Sequence, residues 1–301
     1  MQKQVYVIDL FCGCGGFSTG ARQAGAKVIL AVDCWKEALA VHEANHPDTE
    51  HLCTTLGRDL DEFACFIVGF IDLNVPPGGH VHLHASPPCQ LLSCVNTSKV
   101  NPVQGRILVD WTIDLIEMIS SHIDTWTLEQ VPKLIFTYLM QKYNGRVIHM
   151  QKYGVPQTRR RMLLGNISWE KLEHFETNAM NFKEVADSIG FQIPAHVDKL
   201  SNGSSKREDG TRSLKHADGK VMVTERSLTA ICNTVTGSNP TLYDSQNHKI
   251  QKMPLHLVAA LQTFPAESKF DCACASRDTR RMVANAVPPL MASILISTIQ
   301  P

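Results

Sequence analysis

The stretch Val5-Tyr6-Val7-Ile8-Asp9-Leu10-Phe11-Cys12-Gly13-Cys14-Gly15-Gly16-Phe17-Ser18 decides the fold. Its first seven residues form a short apolar run of strand length, and the run ends in a cluster of glycines. Residues 18–25 are compatible with a helix that Gly25 stops, and 27–32 form a second apolar run. Strand, glycine turn, helix, strand is the opening βαβ unit of a parallel sheet. Glycines at such a turn let the backbone pass close to a ligand, and the helix N-terminus offers free N–H groups. The dinucleotide pattern G-x-G-x-x-G needs a glycine where Ser18 stands, which disfavours a pyrophosphate. Asp33 closes the second strand, with Cys34 and Trp35 beside it. It is placed to accept hydrogen bonds from ribose hydroxyls, or else it is a surface carboxylate beside a structural turn.

Outward from this unit, strands are expected at 80–85, 125–128, 145–149 and 162–164, with helical stretches between them. In 107–121 the apolar positions recur at i, i+3, i+4 spacing. The alternation predicts a doubly wound α/β domain up to residue 166. Residues 196–226 are polar and loop-like, and from Met253 the chain turns helical and apolar again. The expected layout is one large domain, 1–166 and 252–301, interrupted by a small irregular domain over 167–251. The C-terminal helix packs back on the first part.

Composition narrows the function classes. The 301 residues are 44% apolar and 19% charged, which excludes disorder as the main theme. No apolar run reaches membrane-spanning length, and the N-terminus leads straight into a strand, so neither a membrane segment nor a signal peptide is expected. Lys+Arg and Asp+Glu balance at 29 each, so nucleic-acid affinity has to come from local charge. The ten cysteines show no C-x-x-C pairing; the reading is a reducing compartment, with no structural zinc and individual thiols free for chemistry. His80, His82 and His84 share one face of a strand, but no carboxylate or cysteine in register completes a metal site, so they are read as its polar face. Cys272-Ala273-Cys274 reads as a surface loop, and Arg277, Arg280 and Arg281 suit phosphate contact or plain solvation equally.

Ala85-Ser86-Pro87-Pro88-Cys89-Gln90 follows the 80–85 strand, which puts Cys89 at the carboxyl edge where open α/β sheets bind ligands. Two prolines restrict the turn and so limit where the sulfur can point. This position favours a nucleophile over an inert thiol. With the glycine turn and Pro87-Pro88-Cys89-Gln90 come Glu129-Gln130-Val131, Gln157-Thr158-Arg159-Arg160-Arg161 and Asn285-Ala286-Val287, in that order. The set resembles the DNA (cytosine-5)-methyltransferase family over nearly the whole chain.

The resemblance implies a class I methyltransferase fold, a Rossmann-like doubly wound sheet with a small target-recognition domain, and S-adenosylmethionine as cofactor. It implies that Cys89 attacks C6 of a flipped-out cytosine, that Glu129 contacts N3 and the exocyclic amine, and that Arg161, with Arg159, holds the base carbonyl or nearby backbone. Phe11, Cys14, Gly15, Gly16 and Pro87 would line the cofactor, Asp33 and Cys34 its ribose side, Asp59 and Leu60 its adenine, and Asn285 and Val287 would close the pocket. Gln90, Ser93, Lys206 and Arg207 would meet DNA, within a basic segment mixed with glycine and serine. The implied partner is double-stranded DNA, with no metal and no membrane. A cytoplasmic monomer is expected, nuclear in a eukaryotic host, serving modification in a bacterium, phage or virus.

Three positions depart from the family's pattern. Gln130 stands where Asn is usual, Ala284 where Gly is usual, and Leu91-Leu92-Ser93 where a smaller or aromatic residue is common. None removes a catalytic group. Two other readings remain: a tRNA-methylating relative, whose Cys-Phe-Thr signature has only Cys65-Phe66-Ile67 as a misplaced counterpart, and an inactive DNA-binding relative.

Overall fold

A computed structural model describes residues 3–88, 102–201, 225–237, 240–247, 249–271 and 276–299. In chain order the elements are β1 (Val5–Leu10), α1 (Gly16–Gln23), β2 (Lys27–Asp33), α2 (Lys36–Asn45), β3 (Glu50–Cys53), α3 (Leu60–Asn74), β4 (His80–Ala85), α4 (Pro102–Met118) and β5 (Thr125–Gln130). They continue as α5 (Thr137–Lys142), β6 (Arg146–His149), β7 (Arg160–Gly165), α6 (Trp169–Glu173), α7 (Phe182–Ser188), β8 (Lys199–Ser201), β9 (Glu225–Ser227), β10 (Thr241–Asp244) and β11 (Lys249–Lys252). Three helices end the chain: α8 (Leu255–Leu261), α9 (Ser276–Asn285) and α10 (Pro289–Ile299).

The large sheet has seven strands in the order β3-β2-β1-β4-β5-β7-β6. β1 to β5 run parallel, and β7 runs antiparallel to both of its neighbours. β1 is buried at all six positions, as a central strand covered on both faces must be. Tyr6, Ile8 and Leu10 pack toward α3 and α4 with Ile67, Ile71, Val109 and Leu115. Val5 and Val7 pack toward α1 and α10 with Phe17, Ala21, Met291 and Leu295. The chain is therefore the doubly wound α/β protein that the opening stretch predicts.

The segment before α8 is more regular than its composition suggests. β8 to β11 form an antiparallel sheet in the order β11-β10-β8-β9, with β10 buried throughout. Phe182, Val185, Leu200 and Leu242 from this segment share one apolar cluster with Leu257, Val283, Ala38 and Cys14, so the small sheet is sealed to the large one through α8 and α9. The helical stretch Arg277–Ile299 has the length and hydropathy to cross a membrane, but 72% of its apolar 18-residue window is buried here.

α10 lies against α1, and the fit is backbone to backbone. A Cβ on Gly20 would stand 2.0 Å from the Pro289 carbonyl oxygen and 2.7 Å from Ala292 Cβ. Exposed Gly69 in α3 has nothing within 4 Å. Alanine is favoured over glycine in a helix by about 1 kcal/mol, whereas overpacking costs about 1–3 kcal/mol or more. Gly69→Ala should therefore stabilise the protein in urea unfolding, and Gly20→Ala should destabilise it because a carbonyl cannot yield as a side chain can.

Candidate active site

The chain leaves β1 toward β2 and returns on the other side at β4, which opens a crevice at the carboxyl ends of these two strands. Two sequence blocks meet there. Ser86 donates its amide to the Leu10 carbonyl and its hydroxyl to the Phe11 carbonyl, each at 3.2 Å. This ties the loop that follows β4 to the glycine turn that follows β1.

The turn is tight because three of its residues take left-handed backbone angles: Phe11 (φ 58°), Gly13 (φ 53°) and Gly15 (φ 90°). Such an angle is strained for phenylalanine and easy for glycine. Asp33 braces the turn, one carboxylate oxygen accepting from the Gly13 amide and the other from the Trp35 amide, both at 2.8 Å. Around Gly13 there is open space within 4 Å of where a Cβ would stand. Asp59 is exposed beyond β3 and caps α3 by accepting from the Glu62 amide at 3.0 Å. Leu60 is half-buried against the core and Cys34 is exposed. Phe11, Gly15, Gly16, Asp33, Cys34, Asp59 and Leu60 thus follow three adjacent strands along one edge. The Cys14 side chain is buried among apolar residues behind that edge.

The C-terminal segment closes onto the same turn. A Cβ on Gly16 would stand 2.2 Å from the Val287 carbonyl oxygen, so only glycine permits this approach. Val287 is buried and Asn285 is exposed.

On the other side of the crevice, Glu129 and Arg161 form an ion pair with Nε–Oε1 at 2.8 Å, and both side chains are nearly buried. Glu129 is registered with Leu163, and Arg161 lies two residues along β7, so the two side chains share a face diagonally. Gln130 is buried; its Nε2 donates to the Pro87 carbonyl at 3.0 Å and its Oε1 accepts from the Val131 amide at 2.8 Å. The longer amide therefore fits, and it holds the buried Pro87 against the end of β5. Arg159 turns the other way: its buried guanidinium donates to the Ala284 and Ala286 carbonyls, each at 3.1 Å. It is thus occupied with the C-terminal segment and is not brought together with Glu129.

Cys89, Gln90, Ser93, Lys206, Arg207 and the Cys272-Ala273-Cys274 tripeptide lie outside the described residues. Of the segment's other cations, Lys183 pairs with Asp187 at 2.7 Å and Lys199 with Glu225 at 2.5 Å. Arg280 donates to the Met253 carbonyl, while Arg281 pairs with Asp278 and lies over the Trp35 ring at 4.4 Å. The three histidines of β4 do share a face, but His82 and His84 are fully buried there. Thr125 and Thr127 of β5 link them into a ladder with contacts of 2.8–3.0 Å. Burial pushes His82 down to about 3 and His84 well below the usual histidine range, which keeps both rings neutral. Among the described residues no cluster could hold a metal.

Several organising residues have no assigned role in the sequence. Buried Gln157 donates to the Leu261 carbonyl at 2.9 Å and to Gln262 Oε1 at 2.7 Å, and accepts from the Val235 amide at 2.9 Å. Gln262 in turn donates to the Ala286 carbonyl. Gln157 opens the block that ends in Arg161, and that is the signal that could have found it. His42 of α2 and His46, the residue that follows the helix, stand behind Gly15.

Comparison with known proteins fits this geometry. The family model for C-5 cytosine-specific DNA methylase matches residues 5–122. The type II methyltransferase M.HgiGI of Herpetosiphon aurantiacus is 30% identical over 121 residues, which are 40% of this chain and 85% of that protein. The type II methyltransferase M.AplI of Arthrospira platensis is 26% identical over 100% of this chain and 87% of its own length. Among solved structures, a DNA modification methyltransferase of an Escherichia coli prophage, described as putative, superposes with a TM-score of 0.68 at 18% identity, covering 98% of both chains. On this evidence the chain belongs to the C-5 cytosine-specific DNA methylase family.

Proposed function

We propose that the protein transfers a methyl group from S-adenosylmethionine to C5 of cytosine in double-stranded DNA, through a covalent bond from Cys89 to C6. The observation that carries this reading is the Glu129–Arg161 pair, set at the crevice beside the Pro87 turn that Gln130 and Ser86 hold in place. A nearly buried carboxylate paired with a guanidinium near the end of β5 suits recognition of a planar base with ring nitrogen and carbonyl.

The cofactor edge fits the proposed group. Gly13 leaves open space at the turn, Asp33 stands at the end of β2, and Asp59 caps α3 beyond β3. Beneath the turn, the buried Asp9 Oδ1 has no hydrogen-bond partner. S-adenosylmethionine held there supplies an electrophilic methyl group. Phe11, Gly15 and Gly16 would receive its methionine end, Asp33 and Cys34 its ribose, and Asp59 with Leu60 its adenine; Cys14 would contribute backbone. Asn285 and Val287 would close the pocket, with Arg159 as the residue that positions them.

Cytosine C5 is too weak a nucleophile to take a methyl group unaided. Cys89 forms a bond to C6, which makes C5 enamine-like, while Glu129 stabilises the ring as N3 gains a proton and Arg161 fixes the carboxylate. Once C5 has taken the methyl group, loss of its proton to water expels the thiolate. The base has to leave the duplex for this chemistry, so flipping is part of the reading. The region 167–251 would serve recognition, with Gln90, Ser93, Lys206 and Arg207 toward DNA, and a cytoplasmic monomer would suffice.

DNA carrying 5-fluorocytosine at the target should trap a covalent complex in the presence of S-adenosylmethionine, since fluorine blocks the final elimination. Cys89→Ser should abolish the trapped band; an undiminished band would overturn the assignment. Glu129→Gln should slow single-turnover methyl transfer by about 10²-fold or more with DNA affinity retained, because it removes proton-linked stabilisation.

A further inference from the structure

Two chains of buried polar side chains converge beneath the glycine turn, and the reaction above uses neither. On one side, Ser18 Oγ donates to Asp9 Oδ2 at 2.7 Å. His42 Nε2 stands 2.9 Å from that hydroxyl, and His42 Nδ1 stands 2.8 Å from His51 Nε2. With Ser18 donating inward, the assignment that satisfies the remaining atoms has His42 donating to Ser18 and His51 donating to His42. Asp9, Ser18 and His42 are fully buried, whereas His51 reaches the surface.

On the other side, the ladder of His80, Thr125, His82 and Thr127 ends at His84. His84 is the β4 residue registered with Asp9 of β1, so both side chains leave the sheet on the same face. Phe17 covers His84 there, ring on ring at 3.5 Å. Where the two chains meet, Asp9 Oδ1 and His84 Nε2 are both buried without a hydrogen-bond partner. A carboxylate in such a place is costly, and taking up a proton relieves the cost.

We propose that Asp9 exchanges one proton with solvent through Ser18, His42 and His51, and that docking of the cofactor on the glycine turn releases this proton. The second part rests on the S-adenosylmethionine reading. His51 takes a proton from water and gives its Nε2 proton to His42; His42 gives its own to Ser18, and Ser18 gives its own to Asp9. Asp9 gains one proton and solvent loses one. Each imidazole moves its N–H from Nε2 to Nδ1, Ser18 exchanges its hydroxyl proton, and all three stay neutral. In reverse, the ammonium group of the docked cofactor favours the carboxylate and drives the proton out.

The surroundings agree. Burial pushes the Asp9 carboxyl up to about 7, the Ser18 hydrogen bond opposes this, and the Asp33 charge adds to it. The titratable groups facing Asp9 are Cys12 on the turn, Asp33 on β2, His42 behind Ser18 and His84 on β4. The Cys12 thiol is pushed well up, and burial holds both histidines neutral. Because the folded carboxyl binds its proton more tightly than the unfolded one, its stabilisation is present in acid and is lost as pH rises from about 4 through about 7.

Two measurements on the full chain test this. The melting temperature of Asp9→Asn minus that of the parent should rise across that pH window and level off above it, since the amide mimics the protonated acid. Ser18→Ala should carry the midpoint to higher pH. A difference that stays flat with pH, or a midpoint unmoved in Ser18→Ala, would overturn the proton uptake by Asp9 beside Ser18 on which the relay rests. The second is calorimetry of S-adenosylhomocysteine binding near pH 7, in buffers of low and high ionisation enthalpy. It should show proton release for the parent and none for Asp9→Asn. Binding without proton exchange in the parent would sink the coupling, whereas absence of binding would sink the cofactor reading and leave the melting series to judge the relay.

Discussion

The approach of α1 to the C-terminal segment, Gly16 and Gly20 against the carbonyls of Val287 and Pro289, is the constraint on which both sides of the crevice depend. It brings the last helix onto the first and so closes the sheet's second face. It also fixes the start of α1, and with it the turn whose left-handed residues present their backbone at the carboxyl edge. No side chain larger than hydrogen fits at either contact, so the glycine pattern serves packing as much as ligand approach.

A second knot transmits this closure to the Glu129 side of the crevice. Arg159 holds the Ala284 and Ala286 carbonyls, Gln262 holds Ala286 as well, and Gln157 joins Gln262 to Val235 of the small-sheet segment. These groups are buried, so each hydrogen bond replaces one that water would have made, and leaving a partner unmade costs about 1–3 kcal/mol. Arg161, two residues from Arg159, is thereby fixed beside Glu129. Arg159 lies just before β7 and anchors the C-terminal segment, whereas Arg161 lies within the strand and pairs with Glu129.

The sequence made the central strands legible because strands buried on both faces must read as apolar runs, as β1 and β2 do. β3 escaped that logic: Glu50-His51-Leu52-Cys53 is an edge strand that buries little. The small sheet escaped it too, since its strands are three or four residues long and lie among polar loops. Alternation correctly put His80, His82 and His84 on one face, but nothing local says that this face is covered or that threonines of β5 satisfy it. Arg159 was legible as part of a block and illegible in its work, because its partners are main-chain carbonyls more than a hundred residues away. Gln130 departed from the family's pattern, and only the geometry shows that its extra methylene still reaches Pro87.

The central claim is that this chain makes 5-methylcytosine in DNA. Bisulfite sequencing of DNA from cells expressing the protein, set beside cells with the vector alone, tests it most directly. The account predicts cytosines protected at a recurrent short sequence only where the protein is present. Unprotected DNA from cells that contain the folded, S-adenosylhomocysteine-binding protein, or methyl groups found in RNA alone, would contradict it.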